Sequence, residues 1–143
     1  MGESILVVDD SVDNRDLTQI LLESEGFEVR MAEDAMQALG LLRTYRPKLI
    51  LMDVQLPGMD GLELTRRLRQ DPSWQAVIIV ALSAYAMAEE KANAMAAGCD
   101  GYITKPINTR TFACSVRQYL EPPARPQLTE SGAARDGHPW PAE

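Results

Sequence analysis

Short runs of consecutive apolar residues alternate with longer stretches of helical period along this chain, and that alternation restricts the fold class more than any other feature. The runs are Ile5-Leu6-Val7-Val8, Phe27-Glu28-Val29, Leu49-Ile50-Leu51-Met52, Val77-Ile78-Ile79-Val80-Ala81-Leu82 and Gly101-Tyr102-Ile103. The first, third and fourth are continuous rather than alternating, the pattern of strands covered by helices on both faces. They are expected in the centre of a parallel sheet, with the second and fifth at its edges. Strand and helix alternate throughout, so the class is α/β, a doubly wound five-stranded parallel sheet with right-handed crossovers.

The intervening stretches each keep one apolar face. Leu17, Ile20, Leu21 and Ser24 mark the first helix, with Gly26 as its stop, and Ala35, Ala38, Leu39 and Leu42 mark the second, which ends before Pro47. Leu62, Leu64 and Leu68 supply the third, Ala92 to Ala97 the fourth with Gly98 after it, and Phe112, Val116 and Leu120 the fifth. Beyond Leu120 the chain turns to Glu-Pro-Pro-Ala-Arg-Pro and almost loses its aliphatic side chains. Residues 1–120 are therefore read as one domain and 121–143 as a disordered tail or linker. The single histidine, His138, falls in that tail, as does Trp140, a candidate docking anchor.

At 143 residues there is room for one domain with a real core. A formal charge of −7 argues against a direct nucleic-acid binder, because such proteins draw affinity from neutralising phosphates. Met1-Gly2-Glu3-Ser4 has no basic leader, and no apolar stretch approaches membrane-spanning length, so no membrane association and a cytoplasmic location are expected. Cys99 and Cys114 form no CxxC pair and have no histidine at metal-ligand spacing, which suits two reduced thiols.

In a doubly wound sheet ligands bind at the carboxyl ends of the strands, so the polar residues there carry the functional information. The first strand ends in Asp9-Asp10, the third in Asp53, the fourth in Ser83 and the fifth in Thr104-Lys105. Taken singly, Asp9 or Asp10 is also a helix cap, Ser83 a strand terminator and Lys105 a solvated loop charge. Together, three carboxylates, a hydroxyl and an ammonium converging on one rim form a candidate site. Three crowded carboxylates repel one another unless a cation lies among them. Mg2+, with Mn2+ as an alternative occupant, matches hard oxygen donors, and the absence of clustered His and Cys argues against zinc.

Four segments in order carry a resemblance. They are Val7-Val8-Asp9-Asp10-Ser11, then Pro47-Lys48-Leu49-Ile50-Leu51-Met52-Asp53-Val54-Gln55-Leu56-Pro57-Gly58-Met59-Asp60-Gly61, then Ala81-Leu82-Ser83-Ala84, and finally Ala97-Gly98-Cys99-Asp100-Gly101-Tyr102-Ile103-Thr104-Lys105-Pro106. As a set, over about residues 4 to 120, the chain resembles the receiver domains of two-component response regulators, the CheY-like family. The resemblance implies a flavodoxin-like strand order of 2-1-3-4-5. It implies that Asp53 accepts a phosphoryl group from a histidine kinase or histidine phosphotransfer protein. Asp10 and Asp53 would bind the metal directly, Gln55 through its backbone carbonyl, and Asp9 through a water. Lys105 and Ser83 would stabilise charge during transfer, and Lys105-Pro106 would be a cis peptide.

For signalling, the resemblance implies that Ser83 moves toward the phosphoryl group and Tyr102 turns into the space it leaves. The helix 4, strand 5 and helix 5 face would then meet a protein partner, with the chain a monomer or a phosphorylation-dependent dimer. A static edge-strand role for Tyr102 stands beside that reading. Asp60 reads as a cap of the third helix, and Pro57, Gly58 and Gly61 as a tight loop that shapes the site. Gln55 and Tyr85 occupy the positions that tune attack by water in this family, and their bulk is expected to slow dephosphorylation.

The leading expectation is a free-standing, non-enzymatic regulator acting through protein contacts. A receiver belonging to a hybrid sensor kinase is the alternative, because Asn14-Arg15 and Ala84-Tyr85-Ala86-Met87 resemble those as well. A magnesium phosphohydrolase of the haloacid dehalogenase type would need a second Asp two residues after the nucleophile, where this chain has Gln55. A receiver that works without phosphorylation is disfavoured by the complete acidic set.

Overall fold

The computed structural model describes residues 3–84 and 87–120. Its order is β1 Ser4–Val8, α1 Val12–Glu23, β2 Glu28–Ala32, α2 Ala35–Leu41, β3 Leu49–Asp53 and α3 Gly61–Gln70. A 3-10 turn Pro72–Trp74 follows, then β4 Ile78–Ser83, α4 Ala88–Ala97, β5 Gly101–Thr104 and α5 Phe112–Leu120. The five strands are all parallel in the order β2-β1-β3-β4-β5, so β1, β3 and β4 are interior, as their continuous apolar runs require. The stretch read as a tail, with His138 and Trp140, and the candidate residue Tyr85 lie outside the described residues.

Alternate strand residues feed two separate cores. On one side Leu6, Val8, Ile50, Met52, Ile79 and Ala81 meet the inner faces of α2, α3 and α4, including Ala38, Leu64, Leu68 and Ala94. On the other, Ile5, Val7, Leu49, Leu51, Val80 and Leu82 pack with Leu22, Phe27, Phe112 and Val116. Each aliphatic side chain fully buried in this way contributes roughly 1.5–3 kcal/mol.

Helices α1, α2 and α3 begin where short polar side chains satisfy their first N–H groups. Ser11 Oγ accepts from Asn14 N at 3.3 Å, Asp34 Oδ1 from Gln37 N at 2.8 Å, and Asp60 Oδ1 from Glu63 N at 2.9 Å. Asp60 is thus the cap expected of it, whereas the first helix is capped by Ser11 rather than by Asp9 or Asp10. Gly98 ends α4 at φ 112°, a left-handed conformation that a side chain would oppose.

The apolar face expected for α1 is rotated. The helix buries Thr18 and Leu22, while Ile20 is 65% exposed and Ser24 is exposed. Leu22 joins Phe27, Phe112 and Val116 in the core, and Ser24 is the C-cap, its hydroxyl donating to Leu21 O at 2.9 Å.

Two side chains tie the strand ends together. Arg69 on α3 donates to Gly98 O at 2.9 Å, Trp74 O at 2.8 Å and Asp100 Oδ2 at 2.8 Å, and Asp100 Oδ2 also accepts from Ile79 N at 2.9 Å. At the open edge of the sheet, Tyr102 N donates to the Tyr119 hydroxyl at 3.4 Å. Gly101 makes room for that ring, since a Cβ there would collide with it.

Candidate functional site

Strand register brings the polar residues of four strand tips onto one rim. Val8 pairs with Ala32 and Met52, Asp53 with Leu82, and Ser83 with Thr104, so Asp9, Asp53, Ser83 and Lys105 leave the sheet at adjacent points. Asp9, Asp53 and Ser83 are buried, and Asp10 is exposed at the mouth. One carboxylate oxygen from each of Asp9, Asp10 and Asp53 lies within 4.8 Å of the others.

Asp9 and Asp53 are each anchored by one carboxylate oxygen and leave the other facing the site. Asp9 Oδ1 accepts from Ser11 N at 2.9 Å, and Asp53 Oδ1 accepts from Gln55 N at 2.9 Å. Asp53 Oδ2 accepts from Lys105 Nζ at 3.0 Å. Asp9 Oδ2 is buried without a hydrogen-bond donor and faces the same ammonium at 3.5 Å. Burial raises the Asp53 pKa, as does the neighbouring Asp9 charge, against the pull of Lys105 and the Gln55 N–H. For Lys105, burial works against the ammonium, but the hydrogen bond and charge of Asp53 and the charge of Asp9 outweigh it and raise the pKa.

Backbone contacts hold the arrangement in place. Lys105 N donates to Ser83 O at 2.7 Å, Val54 N to Leu82 O at 2.9 Å, and Gly61 N to Val54 O at 2.9 Å. Lys105-Pro106 is a cis peptide, as expected. The start of α3 rests so closely on β3 that a Cβ on Gly61 would run into the Asp53 carbonyl oxygen and come within 2.9 Å of the Met52 side chain.

Ser83 and Tyr102 form a second contact beside the acidic group. Tyr102 is 3% exposed, its ring turned into the protein, and Lys91 Nζ stands 5.9 Å from the ring centre. Burial raises the phenol pKa, and a hydrogen bond with the Ser83 side chain offsets part of that rise. Tyr102 is thus a buried residue of the edge strand in contact with Ser83.

The donor set fits a hard divalent cation. It offers three carboxylates at one rim, one of them with a buried oxygen that no hydrogen-bond donor satisfies, and no sulfur or imidazole. Asp10, Asp53 and Asp9 would hold such an ion, with Gln55 next to Asp53. Sequence reasoning attached no site role to Arg15, whose Nη1 donates to the Asp9 carbonyl at 2.8 Å.

Residues 5–117 match the family model described as the response regulator receiver domain. The chain belongs to that family. This receiver is 37% identical over 120 residues to the polar-differentiation response regulator DivK of Brucella anthropi, covering 84% of this chain and 98% of the relative. Among solved structures it is similar to the chemotaxis response regulator CheY4 of Vibrio cholerae, with TM-score 0.80, 28% identity, and coverage of 83% of this chain and 99% of that one. It is also similar to the signal receiver domain of a signal transduction histidine kinase from Syntrophus aciditrophicus, with TM-score 0.77, 28% identity, and coverage of 94% and 99%. Receivers are signalling domains of two-component systems and work with histidine kinases or phosphotransfer proteins; no helix among the described residues is long and apolar enough to cross a membrane.

Proposed function

We propose that Asp53 accepts a phosphoryl group from a phosphohistidine of a kinase or phosphotransfer protein, and that the modified receiver signals by binding a protein partner. The observation that carries this reading is the Asp53 carboxylate, buried at a strand tip, with the Lys105 ammonium 3.0 Å away and Asp9 and Asp10 beside it. A carboxylate oxygen of Asp53 forms the new O–P bond as the donor's N–P bond breaks, and the electron pair of the broken bond leaves on the imidazole nitrogen.

Such transfers pass through a loose transition state, so positioning and charge stabilisation do most of the work. Gln55 N and Lys105 fix the carboxylate, and the Lys105 ammonium is close enough to turn to the phosphoryl oxygens as Asp53 loses its charge. Ser83 supplies a hydroxyl for those oxygens. Mg2+, held by Asp10, Asp53 and the Gln55 carbonyl, with Asp9 acting through a water, would neutralise negative charge on the group in transit.

Movement of Ser83 alters its bond with Tyr102, and the face made by α4, β5 and α5 carries the change to a partner. The phosphoryl group shifts this equilibrium only by the difference in its bonding to the two states. Gln55 and Tyr85 shield the acyl phosphate from water and lengthen the signal; Gln55→Ala with Tyr85→Ala is expected to lose the phosphoryl group faster.

The likeness to a histidine-kinase receiver over 94% of this chain supports a second reading, a receiver within a hybrid kinase, while DivK favours the free-standing one. Mapping the full reading frame decides between them. The chemistry is tested by incubating the folded protein with Mg2+ and acetyl phosphate. A phosphoryl mass gain in the wild type and none in Asp53→Asn is expected; a wild type that gains no mass would overturn the proposal.

A further inference from the structure

Arg15 occupies the first turns of α1 and reaches back against the direction of the chain to the tip of β1. Its Nη1 donates to the backbone carbonyl of Asp9 at 2.8 Å. Asp9 is thereby held at three points. Its N–H donates to Ala32 O at 3.0 Å, its Oδ1 accepts from Ser11 N at 2.9 Å, and its carbonyl accepts from Arg15. The remaining polar atom, Oδ2, is the buried oxygen without a hydrogen-bond donor that faces Lys105 and Asp53.

The carbonyl that Arg15 grips belongs to the peptide joining Asp9 to Asp10. The plane of that peptide sets the direction in which the exposed Asp10 side chain leaves the backbone, and Asp10 belongs to neither β1 nor α1. Asp9 N and Ser11 N stay anchored on either side of this short link without Arg15, but the peptide plane between them loses its own restraint and the Asp10 carboxylate gains freedom to tilt away from Asp53. We infer that Arg15 is a positioning residue for the divalent cation: by clamping the Asp9-Asp10 peptide it holds the two carboxylates in a shared orientation toward Asp53. The inference rests on the metal-assisted reading of the site proposed above.

Two effects of the guanidinium oppose each other. Its positive charge repels a divalent cation, while its hydrogen bond prearranges the cation's ligands. The geometry points to the second, because Arg15 contacts a carbonyl and neither of the facing carboxylate oxygens, and outer contacts of this kind typically change metal affinity by about tenfold or more. The opposing effects also give the test its sign.

Manganese alone serves as the probe, with free Mn2+ followed by electron paramagnetic resonance and Mg2+ added as competitor. Arg15→Met, which keeps the aliphatic stem and removes the donors, is expected to bind Mn2+ about tenfold more weakly, and Arg15→Lys, which keeps a donor and the charge, to fall between it and the wild type. The Mg2+ concentration giving half-maximal labelling by acetyl phosphate should rise by the same factor, with the rate at saturating Mg2+ retained.

Equal or tighter Mn2+ binding by Arg15→Met overturns the inference, because charge rather than orientation would then dominate. Losses in both variants that track a lowered urea midpoint of the cation-free protein also overturn it, because only folding would have suffered. A wild type that binds no Mn2+ and takes no phosphoryl group removes the underlying site reading itself, an outcome distinct from failure of the Arg15 variants alone.

Discussion

Lys105 Nζ stands 3.0 Å from Asp53 Oδ2, with Asp9 Oδ2 3.5 Å away on the same ammonium. One cation therefore compensates two carboxylates that burial would otherwise penalise. Lys105→Met leaves both uncompensated, and a loss of about 2 kcal/mol is expected in urea unfolding without Mg2+, at the low side for a broken buried pair because Lys105 is partly exposed. Labelling of Asp53 by acetyl phosphate should slow on the order of 100-fold at saturating Mg2+.

Gly61 is required for space. A methyl group there meets the Asp53 carbonyl oxygen, part of the β3 backbone at its tip, and crowds the Met52 side chain. Gly61→Ala should cost roughly 1–3 kcal/mol by overpacking. Because the collision falls on the backbone of Asp53, phosphoryl uptake should drop as well, whereas an overpacking change remote from the rim would lower the urea midpoint alone.

Arg69 ties α3 to two other segments, the Pro72–Trp74 turn through Trp74 O and the α4–β5 connection through Gly98 O and Asp100 Oδ2. Arg69→Met should lower stability by about 2 kcal/mol, since two part-buried carbonyls lose a charged donor. Hydrogen exchange should quicken first at the junction of α4 and β5. Asp100→Ala should show a smaller loss, its carboxylate being half exposed, yet it frees the Ile79 N–H as well.

The two cysteines should differ in chemistry. Cys99 is buried and Cys114 exposed, so iodoacetamide at pH 8 should add one group to the native chain and two to the chain in urea. Burial pushes the Cys99 thiol up to about 11 from an ordinary value of 9.0. A raised folded pKa means that stability is intact below the unfolded value and is lost as pH climbs from it through the folded value. Roughly 2–3 kcal/mol should disappear across that window. Cys99→Ala should show a shallower alkaline decline in melting temperature when compared side by side with the wild type.

Much of this was legible in the residues themselves. Continuous apolar runs such as Leu49 to Met52 announced interior strands, and the strand tips announced Asp9, Asp53 and Lys105 as neighbours, because parallel register aligns the ends of adjacent strands. The inner face of α1 was not legible. Its sequence carries Leu17, Ile20, Leu21 and Leu22 around more than half the helix, so period alone does not say which strip docks, and contact with Phe27 and Phe112 selects Leu22. Arg15 and Arg69 were hidden for a different reason. Arg15 and two of the Arg69 contacts reach backbone carbonyls, which every residue carries and no sequence pattern reveals.

Among the described residues β5 has one side with no neighbouring strand, and exposed N–H groups on such a border can recruit a strand from another molecule. Tyr119 covers part of that border by taking the Tyr102 N–H, in a seat open only because residue 101 lacks a side chain. This margin of the sheet is thus partly blunted by a phenol from α5. Loss of that ring, in Tyr119→Ala, would show itself in self-association before it showed itself in signalling.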